Sequence, residues 1–221
     1  MSFIQPGKRS FATIGVPAEV LLGVALPRLE RQAQYTRVLE KGGRGAAAMR
    51  SWLRQAADCI ITLARPAAAF MSVESRAVPG GLRIADRVTL RGGDLSRDVA
   101  RGGMVTAYLM TLDYTQKQAF ELLEGDYGAH HVQSDLGGEV LFALGRHVHR
   151  LMRETNPSSR LRRVPVQAHG HCGQRRFWDP ESVQALLSVF DDVNHGVTVT
   201  DTGCFQPLNS LLGLTIHTPA D

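Results

Sequence analysis

The sequence predicts an α+β fold, a mixed or antiparallel twisted sheet with flanking helices. Three observations carry that prediction. Apolar residues recur at helical spacing in two stretches, one with Met49, Trp52, Leu53, Ala56, Cys59 and Ile60, the other with Val140, Leu141, Leu144, Val148, Leu151 and Met152. Between them, residues 104–112 form an apolar run suited to a strand buried on both faces. Helix-like and strand-like segments alternate irregularly along the rest of the chain, which favours the α+β class.

In order, residues 1–15 carry Pro, Gly, Lys and Ser and read as an arm that orders on contact. A helix opens at Pro17, whose fixed φ suits a first turn, with Val20, Leu21, Val24 and Leu26 as its apolar residues ahead of Pro27. Residues 29–39 continue polar and helical until the glycines from Gly42 to Gly45 break the run. The helix 46–64 stops at Arg65, because a residue before proline is pushed out of the helical region. Residues 67–73 and 82–90 are strand-like and joined by a Pro79-Gly80-Gly81 turn. A short helix follows with Asp94 or Ser96 near its N-cap. Beyond the strand 104–112, Thr115 caps a helix that runs to about Gly125, and a long helix covers 129–154. The tail supplies a strand at 163–168, a helix at 179–192, a strand at 196–200 and, beyond Pro207, a last strand at 211–217. The resulting organisation is an N-terminal arm and helical extension, residues 1–45, followed by one α+β domain, residues 46–221.

Composition narrows the function classes. Across 221 residues the hydrophobic share of 43% and charged share of 21% are those of a globular protein. The net charge of +4 rests on scattered arginines. Its densest runs, residues 160–163 and Arg175-Arg176, lack interleaved aromatics, which argues against nucleic acid and for a solvated basic face or an acidic protein partner. Cys59, Cys172 and Cys204 are odd in number and far apart, with no secretory signal ahead of them, so a reducing cytoplasm is expected. The apolar run 16–27 is too short and broken for a membrane span. Neither a phosphate-binding glycine motif with its lysine nor a Ser-His-Asp elbow is present.

The chemistry-bearing residues crowd into the last third. His169, His171 and Cys172 form an H-x-H-C cluster whose imidazoles and thiol suit zinc or another transition metal. A metal site needs three or four convergent ligands, neighbouring residues point apart, and Cys204 would join only through the fold. The same loop would equally serve a bound organic ligand, or lie on the surface. Cys172 as a nucleophile would need an adjacent base. Glu139, early in the long helix, is either a ligand group or an acid favoured by the helix dipole. His147 and His149 lie two apart on a helix and so on different faces.

Residues 164–218 set a Gly/His-rich loop, an acid-opened helix, an alternating strand and a Pro207-x-x-Ser210 turn in fixed order. That order resembles the activation domain of cobalamin-dependent methionine synthase, which presents S-adenosylmethionine to the corrinoid for reductive remethylation. The middle of the chain adds a helix ending at Leu63-Ala-Arg-Pro-Ala67, a Gly92-Gly93-Asp94-Leu95-Ser96 run, and Asp135-Leu-Gly-Gly-Glu139 entering the long helix. Thr111-Leu112-Asp113 stands where the family carries a TxG strand end. The resemblance spans residues 49–218.

The resemblance implies a ligand set. An acid facing the ligand's amino group falls on Glu139. The family's Arg-x-Ala-x-Gly-Tyr loop falls on Val166-Gln167-Ala168-His169-Gly170-His171, with Cys172 next. Ala168 and Gly170 keep the pattern; Val166 replaces the arginine and His171 the tyrosine. Valine lacks the planar fork that grips a carboxylate, a contact worth about 1.5–3 kcal/mol. The resemblance further implies a stand-alone module of methionine biosynthesis that works with a corrinoid-binding protein or split methionine synthase subunits. Cobalamin would arrive through that partner, and electrons from a flavodoxin- or ferredoxin-type donor. Whether the chain is itself an enzyme stays open. It would also suit a docking or chaperone subunit with a decayed ligand site, or a pocket repurposed for another small molecule or a metal.

Overall fold

The structure is a computed structural model that describes residues 11–86, 88–91, 99, 103–155, 157, 159–166, 180–193 and 195–219. Its N-terminal half contains β1 (Phe11–Gly15), α1 (Ala18–Glu30), α2 (Ala33–Lys41), α3 (Gly43–Leu63), β2 (Ala67–Val73), β3 (Ser75–Val78), β4 (Gly81–Ile84) and β5 (Val88–Arg91). There follow β6 (Met104–Thr111), α4 (Gln116–Leu122), α5 (Tyr127–Thr155), β7 (Ser159–Val166), α6 (Pro180–Leu187), β8 (Thr198–Val199), β9 (Phe205–Gln206) and β10 (Ser210–Pro219).

Five strands pair side by side in the order β1-β2-β6-β10-β7, every pair antiparallel. The side-chain period of two gives this sheet two apolar faces. Ala68, Tyr108 and Met110 turn to a helical layer, where they meet Leu53, Ile60, Leu136, Val140, Leu144 and Val148. Ala69, Met71, Leu109, Leu212 and Leu214 turn the other way, onto the β3-β4-β5 meander, Val183 and Leu186 of α6, and Phe190 just beyond it. The α+β class with an antiparallel sheet and flanking helices is therefore as the sequence predicts. β1 joins this sheet, and Leu21, Leu22, Ala25, Leu29 and Tyr35 of α1 and α2 lie in the same core as α3 and α5.

Several elements differ from expectation for local reasons. α1 runs through Pro27 to Glu30 and buries Leu21, Leu22, Ala25 and Leu29, leaving Val20 57% and Val24 50% exposed. The expected continuous helix over 29–39 breaks at Gln32, whose backbone is extended ahead of α2. The strand expected at 82–90 is two strands, because Ala85 and Asp86 adopt left-handed backbone, with φ of 47° and 52°. The helix expected at 179–192 ends at Leu187 and tightens into a 3-10 turn over Ser188–Phe190.

Helix starts follow capping chemistry. Thr115 Oγ1 accepts the Gln118 N–H at 3.2 Å and Gln118 Oε1 accepts the Thr115 N–H at 2.8 Å, the reciprocal box that satisfies two free donors. Asp126 Oδ1 accepts the Ala129 N–H at 3.0 Å while its Oδ2 accepts the Trp52 indole N–H at 3.2 Å. That pair ties the start of α5 to α3.

Candidate functional site

One register row crosses the whole sheet: Thr13, Ala69, Leu109, Leu212 and Val166. At strand spacings of about 4.8 Å the row is roughly 19 Å wide. β2 and β10 begin near it, and β6 and β7 end near it, so several connections gather at this end of the sheet. Loops held by a rigid sheet are where binding groups concentrate.

α5 crosses the same end on the helical face. A Cβ at Gly137 would lie 2.8 Å from both Asn209 Nδ2 and Tyr114 Oη, so only glycine lets the helix approach this closely. Two residues on, Glu139 is 17% exposed and turned to the α1–α2 junction. Its Oε1 accepts from Gln32 Nε2–H at 3.1 Å. Its Oε2 is buried, lies 3.4 Å from Arg28 Nε, and makes no hydrogen bond. The distance satisfies an ion pair while the N–H is not aimed at the oxygen, so one acceptor of this carboxylate is electrostatically matched but geometrically unfilled.

Val166 closes β7 in register with Leu212. Ala168, His169, Gly170, His171 and Cys172 lie outside the described residues, as do Asp94 and Ser96. Asp113 holds a φ of 57°, a left-handed backbone that Asp tolerates better than most residues.

The structure adds groups that sequence reasoning passed over. Tyr114 is 2% exposed, and its Oη accepts from Gln133 Nε2–H at 2.7 Å and Asn209 Nδ2–H at 2.9 Å. Burial, with Cys59 nearby, raises its pKa although both amide donors oppose the shift, so the phenol stays protonated. Asn209 belongs to the Pro207-x-x-Ser210 turn, which was legible only as a turn. His217 of β10 is buried, with Nε2 3.1 Å from Thr106 Oγ1. Burial, followed by repulsion from His149, lowers its pKa. Cys59 is a buried free thiol that burial pushes up to about 11, which makes it inert near neutrality.

Among the described residues no group of three His, Cys, Asp or Glu side chains is placed to hold a metal ion. Nor is any described helix long and apolar enough to cross a membrane.

An antiparallel five-stranded sheet bearing a long helix on one face and a small meander on the other defines an α+β architecture rather than a parallel, doubly wound α/β one. Among solved structures, the chain is similar to the MetH reactivation domain bound to AdoHcy. That likeness has a TM-score of 0.60 at 14% identity and covers 97% of this chain and 80% of that one. It shows a shared fold. No protein-family model and no curated protein matches the sequence.

Proposed function

We propose that this chain is a stand-alone reactivation-type module of methionine biosynthesis. It would hold an S-adenosyl ligand at the loop-bearing end of the sheet and support reductive remethylation of a corrinoid protein. The observation that carries this reading is the fold likeness over 97% of the chain to a domain whose solved structure contains AdoHcy. Glu139 supplies the acid of this reading: its carboxylate is held by Gln32 and Arg28, and a ligand ammonium would take the place of Arg28. In this reading Glu139 meets the amino group, and the backbone of the segment from Val166 through Ala168, His169, Gly170, His171 and Cys172 flanks the ligand.

The chain's contribution is positioning. Cobalamin held by the partner would supply the acceptor for the methyl group of the sulfonium, with AdoHcy as the leaving product, while this chain would hold and orient the donor. The electron that reduces the cobalt comes from a flavodoxin- or ferredoxin-type donor, and the reaction belongs to the cytoplasm. A second reading is favoured by Val166 in the arginine position: a docking subunit that keeps the fold and has lost the ligand.

Calorimetry with S-adenosylmethionine and with AdoHcy separates the two. Micromolar binding that weakens about tenfold in Glu139→Gln is expected, the loss of one charge-assisted hydrogen bond. No heat with either ligand, while the chain still captures a corrinoid-binding protein, would replace the first reading with the second.

A further inference from the structure

On the sheet face opposite Glu139 lies a cleft of about 210 Å³ at the β1-β2-β6 end of the register row. Its floor is small and apolar, formed by Ala67, Ala69 and Leu109. Its polar groups come from separate parts of the chain and differ in character. Thr111 Oγ1 receives hydrogen bonds from the Asp113 N–H at 3.0 Å and the Ser210 hydroxyl at 2.9 Å. With both lone pairs engaged, the Thr111 O–H remains as a donor. His195 Nδ1 accepts the Val197 N–H at 2.9 Å, which places the proton of the neutral ring on Nε2. Burial holds that imidazole below its ordinary pKa, with Asp191 opposing, so the ring is a neutral donor near pH 7.

Asp113 supplies the charge. Its left-handed backbone sets the carboxylate over Gly196, where an added Cβ would lie 3.6 Å from Oδ1. Among the described residues no Lys or Arg forms an ion pair with it. The cleft therefore combines one anionic acceptor, two neutral donors and an apolar floor. That set complements a cation and its neighbouring acceptor, and it repels a simple anion. The volume is below the usual 300–1,000 Å³ or so of drug-sized pockets, which suits a compact ligand.

We infer that this cleft binds a compact primary ammonium compound with a hydrogen-bond acceptor two or three atoms from the nitrogen, as in a free α-amino acid. The ammonium group meets Asp113, the acceptor meets the Thr111 O–H and His195 Nε2–H, and a short apolar side chain rests on Ala67, Ala69 and Leu109. Glu139, the acid proposed for the S-adenosyl ligand, belongs to the helix on the other face of the sheet.

Three probes of matched shape test it: L-valine, isobutylamine and 3-methylbutanoate, each titrated into the full chain while amide NMR shifts of Asp113, Gly196 and Val197 are followed. L-Valine gives saturable shifts with a Kd near ~1 mM, isobutylamine binds more weakly, and 3-methylbutanoate does not bind. Asp113→Asn keeps a residue that tolerates left-handed backbone and removes the charge; because the group is exposed, affinity for L-valine falls about three- to tenfold. AdoHcy calorimetry is unchanged in that variant. The inference is overturned by the absence of saturable shifts with both amines up to ~10 mM, by an equal response to 3-methylbutanoate, or by undiminished binding in Asp113→Asn. Any of these leaves the S-adenosyl reading standing, since that titration follows a different ligand and is read through Glu139 on the helical face.

Discussion

Gly213 offers a sharp test of the packing between β10 and β6. It lies directly opposite Tyr108, whose ring is 3% exposed and folds over the glycine, as aromatic side chains do to cover a bare strand position. A Cβ at residue 213 would overlap Tyr108 Oη and Cζ and lie 3.0 Å from Cε2. The glycine's backbone φ is ordinary, so Gly213→Ala gains about 0.5–1 kcal/mol from reduced unfolded-state freedom. Against that, the ring cannot withdraw without displacing neighbours in a filled core, an overpacking cost of about 1–3 kcal/mol. At mid-range values the clash wins by about 1 kcal/mol. For a chain of this size that is a fall of about 2–4 °C in Tm by circular dichroism. The cost disappears when Gly213→Ala is made in a Tyr108→Leu background, because the overlapping ring atoms are gone. A Gly213→Ala protein as stable as the parent, or equally destabilised in both backgrounds, would refute the reasoning.

Two further outcomes follow from caps and titration. Thr115→Ala removes the hydroxyl that accepts the Gln118 N–H at the start of α4, leaves the backbone half of the box in place, and lowers stability by about 1 kcal/mol in urea unfolding, whereas Thr115→Ser loses little. His195 and His217 are both held below the ordinary imidazole value of 6.5, so above that pH neither state binds a proton and they do not alter stability. Below 6.5 the unfolded chain takes up protons that the folded chain refuses, and stability falls with pH until the folded pKa values are passed. Replacing both residues with glutamine flattens the unfolding free energy below pH 6.5; an unchanged slope would place the acid sensitivity elsewhere.

The sequence revealed elements whose pattern is local and hid those set by distant partners. The stripe from Val140 to Met152 is readable because a helix of this length repeats its period several times. The apolar run ending at Thr111 is readable because both faces of β6 are covered. α1 was misread because Pro27 looked like its end, which removed Leu29 from the pattern and made Val20 and Val24 seem inward. The turn at Ala85 and Asp86 has no glycine to announce it. At the site, Glu139 was legible as a residue, but its tie to Gln32, 107 positions away, was not. The join of Tyr114 to Asn209, 95 positions apart, exists only in the fold. Asp113 and His195 looked unrelated because the sheet, not the chain, brings them to one cleft.

β10 sits between β6 and β7, yet it is the last of the three to leave the ribosome. Until residues 210–219 emerge, β6 and β7 each face an empty slot, and the nascent chain carries two open strand edges that would accept any extended segment. Vectorial synthesis thus delays closure of the sheet to a single late insertion, which ties the yield of native protein to how long that slot is kept from foreign strands.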